Sequence, residues 1–170
     1  MSYPIIIEDY DPRWPEQFAA LHSKLDKILG PLAARIEHVG STAVPGLAAK
    51  PIIDLDVLLH KAADLPQVIR ALATIGYEHR GDLGVPGREA FYAPQGEMAH
   101  HLYICAPDSP EFSRHIAFRD YLCAHSPDAA AYSRLKRTLA VQFADDREGY
   151  NRAKAEFIQE IVRRNQSGGG

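Results

Sequence analysis

HVGSTAVPGLAAKPIIDLDV, residues 38–57, holds the end of a strand, a glycine-serine turn and two carboxylates in one continuous stretch. Arg35 to Val39 reads as a short strand running into Gly40-Ser41, and Pro51 to Leu59 as a second, strongly apolar strand interrupted only by Asp54 and Asp56. Val44-Pro45-Gly46 between them ends any helix begun at Ser41. Gly40 lets a ligand approach the backbone without meeting a Cβ, and the N–H groups of Ser41 and Thr42 with the Ser41 hydroxyl can donate to phosphate oxygens. Two residues apart on a strand, Asp54 and Asp56 share one face with their roots about 7 Å apart. In an apolar strand such charges need a metal, a Lys or Arg, or water beside them. Metal is the favoured reading, and oxygen ligands suit Mg²⁺ or Mn²⁺. Taken singly, a GS pair is also an ordinary turn, and a DxD is also a solvated edge-strand pattern. The apolar flanks Ile52-Ile53 and Leu58-Leu59 argue for a central strand.

Upstream, Ile5 to Ile7 suggests a short strand, and Trp14, Phe18, Leu21, Leu25 and Ile28 recur at helical spacing until Gly30-Pro31. Downstream, residues 65–75 are helical by pattern, and Tyr77 to His79, Glu89 to Ala93 and His101 to Ala106 are candidate strands joined by Gly- and Pro-containing turns. A mixed or antiparallel sheet follows. Beyond residue 108 only helices are expected: Ser109-Pro110 and Ser126-Pro127 are start signals, and a third helix runs from about Arg147 to Arg163. The class is α+β, with packed helices and a helical C-terminal segment in a single domain over residues 1–165, followed by a flexible tail at 166–170.

The chain has 170 residues, 46% hydrophobic and 24% charged, which suits one globular core. A net charge of -3 gives no general attraction to a polyanion, so long nucleic acid is not expected as a partner. No stretch reaches the roughly 20 apolar residues of a membrane span, and the amino end lacks the basic start of a targeting segment. A cytoplasmic protein without a membrane partner is expected. Cys105 and Cys123 read as reduced, partly buried thiols.

Gly40-Ser41, then twelve residues, then Asp54-Leu55-Asp56 resembles the signature of the nucleotidyltransferase superfamily. With residues 38–57, the later HHLYIC (100–105) and SPEFSRHIAFRDYL (109–122) with its downstream Tyr and Lys positions, nearly the whole chain resembles the GrpB family. The resemblance implies a small mixed sheet covered by helices, and a nucleotidyl-transfer role. In that superfamily a third carboxylate usually lies on a neighbouring strand. Here the corresponding strand, His101 to Cys105, has no acid.

Period-two alternation places His101, Tyr103 and Cys105 opposite Leu102 and Ile104, so His101 faces the aspartates if the apolar face is core. It is the candidate third ligand, with a structural histidine as the competing reading; an imidazole ligand would favour Mn²⁺ or, less so, Zn²⁺ over Mg²⁺. His100 should point the opposite way. His38 is placed to orient the loop or contact phosphate. Lys50, Arg88, Arg114 and Arg119 are candidate triphosphate contacts. Tyr132 with Lys136, and Tyr150 with Lys154, share helix faces four residues apart, as base stacking beside phosphate contact would use and as ordinary packing with a snorkelling lysine also produces.

The expectation is thus a metal-dependent nucleotidyltransferase that passes a nucleoside monophosphate from a nucleoside triphosphate to an acceptor the sequence does not name. Asp54, Asp56 and His101 are its metal-binding and catalytic candidates. An inactive nucleotide-binding module and a His/Asp metal phosphohydrolase are the alternatives.

Overall fold

A computed structural model describes residues 4–168. The first three residues of the expected domain, and Gly169 and Gly170 of the expected tail, lie outside them. Five strands form one sheet: β1 (Ala33–Val39), β2 (Ile53–Leu59), β3 (Glu78–Gly81), β4 (Arg88–Tyr92) and β5 (His100–Cys105), in the order β1-β2-β5-β4-β3. β2 runs parallel to β5, and every other neighbouring pair is antiparallel, so the sheet is mixed. α1 (Trp14–Leu29) and α2 (Leu65–Ala73) belong to the first half of the chain. α3 (Pro110–Ala124), α4 (Ser126–Gln142) and α5 (Arg147–Ser167) follow the last strand, giving the expected α+β segregation.

Alternation along β2 decides which face is which. Ile53, Leu55, Val57 and Leu59 are buried in one cluster with Trp14, Leu21 and Leu25 of α1, Val68 and Leu72 of α2, and Leu102 and Ile104 of β5. At roughly 1.5–3 kcal/mol for each large side chain removed from water, this is the main stabilising mass of the domain. Asp54 and Asp56 consequently point to the opposite face. A second cluster joins Val44 and Leu47 of the loop after β1 to Leu122, Ala129 and Tyr132 of α3 and α4. The helical half is therefore pinned to the sheet through the segment that carries the glycine-serine turn.

Local chemistry explains the helix ends. Pro15 sits in the first turn of α1, and Gly30 ends it at φ 51°. The Ser109 hydroxyl accepts from the Phe112 N–H at 3.3 Å to cap α3. Two expectations need correction. Ile5 to Ile7 form no strand: the only pairing there is a single bridge between Glu8 and Ala49, too short for a ladder. The tail does not begin at 166, because α5 continues through Ser167. No described helix is long and apolar enough to cross a membrane. Cys105 is buried, Cys123 is exposed, and both are free thiols.

Candidate active site

Antiparallel pairing sets Val39 opposite Asp54, so the turn that leaves β1 passes directly over the Asp54 carboxylate. Gly40 adopts φ 73° and ψ -171°, a conformation that favours glycine. A Cβ there would also lie 3.1 Å from Asp54 Cγ. Ser41 to Ala43 then form one tight helical turn, with the Ala43 N–H donating to the Gly40 carbonyl and the Val44 N–H to that of Ser41, both at 3.2 Å. Gly40, Ser41 and Asp54 together line a cavity of about 720 Å³.

The two carboxylates differ in setting. Asp54 keeps 31% of its side-chain surface exposed, and His101 Nδ1 lies 2.8 Å from its Oδ1. Parallel register puts His101 directly opposite Asp54, and Tyr103 opposite Asp56. Asp56 is fully buried. Its Oδ2 is held at 2.6 Å by Nδ1 of His115, and its Oδ1 is buried with no partner. Burial pulls the His115 pKa down, but the hydrogen bond to Asp56 and that group's charge outweigh it, leaving the pKa raised. On its other side His115 Nε2 stands 3.5 Å from Glu111, four residues earlier on α3.

Sequence reading missed His115. Its partner lies on a strand far away in the chain, and only the Glu111-x-x-x-His115 spacing marked a shared helix face. His100, as expected, points the other way, buried 2.7 Å from the Tyr77 hydroxyl.

Among the described residues, no group of three or more His, Cys, Asp or Glu side chains is arranged to hold a metal ion. Of the expected set Asp54, Asp56 and His101, the His101 ring is engaged with Asp54 itself. Two carboxylates still fit a hard cation, since Mg²⁺ is commonly held by one or two carboxylates with phosphate oxygens and water completing its shell. The unpartnered Asp56 Oδ1 is a buried acceptor of the kind such an ion satisfies.

Three lysines surround two tyrosines beside the turn. Lys50 and Lys154 lie 5.2 and 4.5 Å from the Tyr150 ring centroid, and Lys136 lies 4.6 Å from that of Tyr132. Burial, and then the charge of neighbouring lysines, pushes Lys136 down to about 7 and Lys154 to about 8. Lys50 is lowered too, by burial first and then Arg147. Lys154 lines the cavity. Lys136 is only 2% exposed and donates to the Ala48 carbonyl, so it braces the loop after β1.

Several expected ligand contacts have other occupations. Tyr150 is completely buried, leaving no ring face for a base. Tyr132 lines the cavity but is 2% exposed and stacked on Phe157 at 4.9 Å. His38 stacks on Phe18 at 4.8 Å, lies 2.8 Å from the Thr42 hydroxyl, and is pushed by burial down to about 4, so it holds the loop as a neutral ring. Thr42 is buried with it. Arg119 is bound to Glu37 at 2.7 Å and to the His38 carbonyl at 3.0 Å. Arg114 lines the cavity but is paired with Glu111 at 2.8 Å. Arg88 lines it with no partner for its buried Nε.

The family described as GrpB protein matches residues 4–164. The chain is 35% identical over 150 residues to UPF0157 protein YqkA of Bacillus subtilis, covering 88% of this chain but only 44% of that relative's length. The crystal structure of conserved protein GrpB from Enterococcus faecalis superposes with a TM-score of 0.85 at 36% identity, covering 94% of this chain and 96% of that one. Cid1 poly(U) polymerase with Mg 3'-dATP bound superposes at 0.57 and 16% identity, covering 86% of this chain and 49% of that one, which is a likeness of fold. The chain belongs to the GrpB family and shares the α+β fold of that family's solved member.

Proposed function

We propose that the chain is a metal-dependent nucleotidyltransferase. The observation that carries this reading is the packing of Gly40 against Asp54, which joins a tight glycine-serine turn to a carboxylate in one cavity, with Asp56 buried two residues further along the same strand. Asp54 and Asp56 would hold Mg²⁺ or Mn²⁺, and the cation, when bound, neutralises charge on the phosphates. The chain itself binds and orients. The Ser41 amide and hydroxyl meet phosphate oxygens, Lys154 balances their charge, His101 fixes Asp54, and His115 fixes Asp56.

Calorimetric titration with Mg²⁺ or Mn²⁺ and nucleoside triphosphates, followed by pyrophosphate release, tests the proposal. Binding and turnover that are lost in Asp54→Asn are expected. A wild type that binds no nucleotide overturns it. A second reading, a nucleotide-binding module without turnover, is favoured by one observation: the residues opposite the aspartates on β5 are His101 and Tyr103, neither an acid. Tight nucleotide binding without pyrophosphate release across acceptors would select it. A phosphohydrolase using His101 would instead release inorganic phosphate.

A further inference from the structure

Among the described residues, Arg88 is the one guanidinium in the cavity wall with a buried, unpartnered nitrogen. Arg114 and Arg163, also in that wall, are paired with Glu111 and Glu160. Arg88 instead lies with Cζ 4.3 Å from the centroid of the Tyr103 ring, its Nε buried without an acceptor. Arg88 as a whole is only partly buried, but a buried guanidinium nitrogen lacking an acceptor is costly, and the planar fork that carries it matches a phosphate or carboxylate.

Its place in the sheet says which substrate that anion belongs to. Gly40 leaves β1, the aspartates lie on β2, Tyr103 lies on β5, and Arg88 lies on β4 opposite Cys105. Strands are spaced about 4.8 Å apart, so the Arg88 strand is roughly 10 Å from the carboxylate strand, on the side away from Gly40. In phosphoryl transfer the attacking and leaving oxygens stand roughly in line. With the triphosphate's leaving end on the Gly40-Ser41 turn, the nucleophile enters from the β5-β4 side, where Arg88 is.

We infer that the acceptor is a small anionic molecule, whose phosphate or carboxylate group is bound by Arg88 over the ring of Tyr103. The inference rests on the nucleotidyl-transfer reading. An acceptor hydroxyl oxygen bonds to the α-phosphorus as the bond from that phosphorus to the α,β-bridging oxygen breaks. Pyrophosphate departs and the hydroxyl proton passes to solvent. The cavity, about 720 Å³, falls within the roughly 300–1,000 Å³ of small-molecule sites. The net charge of -3 likewise fits a small anion better than a polyanion.

The test is calorimetry on the full chain. Mg²⁺ and a nonhydrolysable nucleoside triphosphate are titrated first, and inorganic phosphate or succinate is then added to the loaded protein in separate arms. At least one anion is expected to bind, and Arg88→Ala to weaken it tenfold or more while nucleotide affinity changes less than twofold. Phosphate alone identifies a phosphorylated acceptor, and succinate alone a carboxylic acid. Neither anion binding, or Arg88→Ala weakening the nucleotide instead, overturns the assignment. Arg88→Lys keeps the charge without the fork and is expected to recover part of the affinity; it carries the same comparison if the alanine variant does not fold. Failure of the nucleotide titration itself counts against the transfer reading, and anion binding to the nucleotide-free protein then decides the role of Arg88 separately.

Discussion

Gly40 lies against the Asp54 carboxylate so closely that a methyl group has no room between them. Gly40→Ala would combine a left-handed φ of 73° with that clash. Strain of about 1–3 kcal/mol is expected, or roughly 2–10 °C in melting temperature for a domain of this size. Nucleotide affinity should fall further than stability does, because the displaced group is Asp54. Paired thermal melts and nucleotide titrations measure both; an alanine variant with unchanged nucleotide affinity would remove the turn from the site.

The orphaned oxygen of Asp56 makes metal binding readable as stability. Ligand at about 100 times its dissociation constant adds roughly 2.7 kcal/mol, or about 5–10 °C here. Mg²⁺ or Mn²⁺ should raise the melting temperature of the wild type and leave Asp56→Asn unmoved. Equal shifts in both proteins would place the ion elsewhere.

His101 is expected to position Asp54 and not to ligate the cation. His101→Ala should therefore keep Mg²⁺ affinity within about threefold, the scale of a lost exposed ion pair. Loss of metal binding altogether, or a switch from Zn²⁺ to Mg²⁺ preference, would restore His101 to the ligand set.

Lys154 gives the nucleotide affinity a pH dependence of definite sign. Its pKa stands at about 8 in the free protein, so at pH 8 about half the molecules must take up a proton when a polyanion binds. Affinity should fall as pH rises above 8. Calorimetry in buffers of different ionisation heat counts the proton, and Lys154→Gln should abolish its uptake.

Lys136 acts on folding. Its folded pKa of about 7 lies below the ordinary 10.5, so between those values the unfolded chain binds a proton that the folded chain lacks. Stability contributed by this residue therefore rises with pH across that window, and below pH 7 its penalty is complete and constant. Melts from pH 7 to 9.5 should show a smaller rise in Lys136→Met than in the wild type.

How far the sequence speaks depends on whether a signal is local. Alternation in β2 and β5 put Asp54, Asp56 and His101 on one face and Leu55 and Leu102 on the other, because a pleat enforces period two regardless of the partner. The parallel pairing of β2 with β5 was not legible, since register across an intervening helix and two strands is a tertiary outcome. For the same reason His115 escaped notice: Asp56 reaches it across 59 positions of chain. Lys136 and Tyr150 misled in the other direction. Their helical spacing suits a ligand face and a packed face equally, and only the docking of α4 and α5 buries them.

The cleft separates two hydrophobic masses, one built on the sheet with α1 and α2 and the other on α3 and α4. Asp54 and Arg88 of the sheet line it together with Lys154 and Ile158 of α5. A guest touching both the sheet and α5 would tie the two together, so occupancy and the firmness of the whole fold would rise in step.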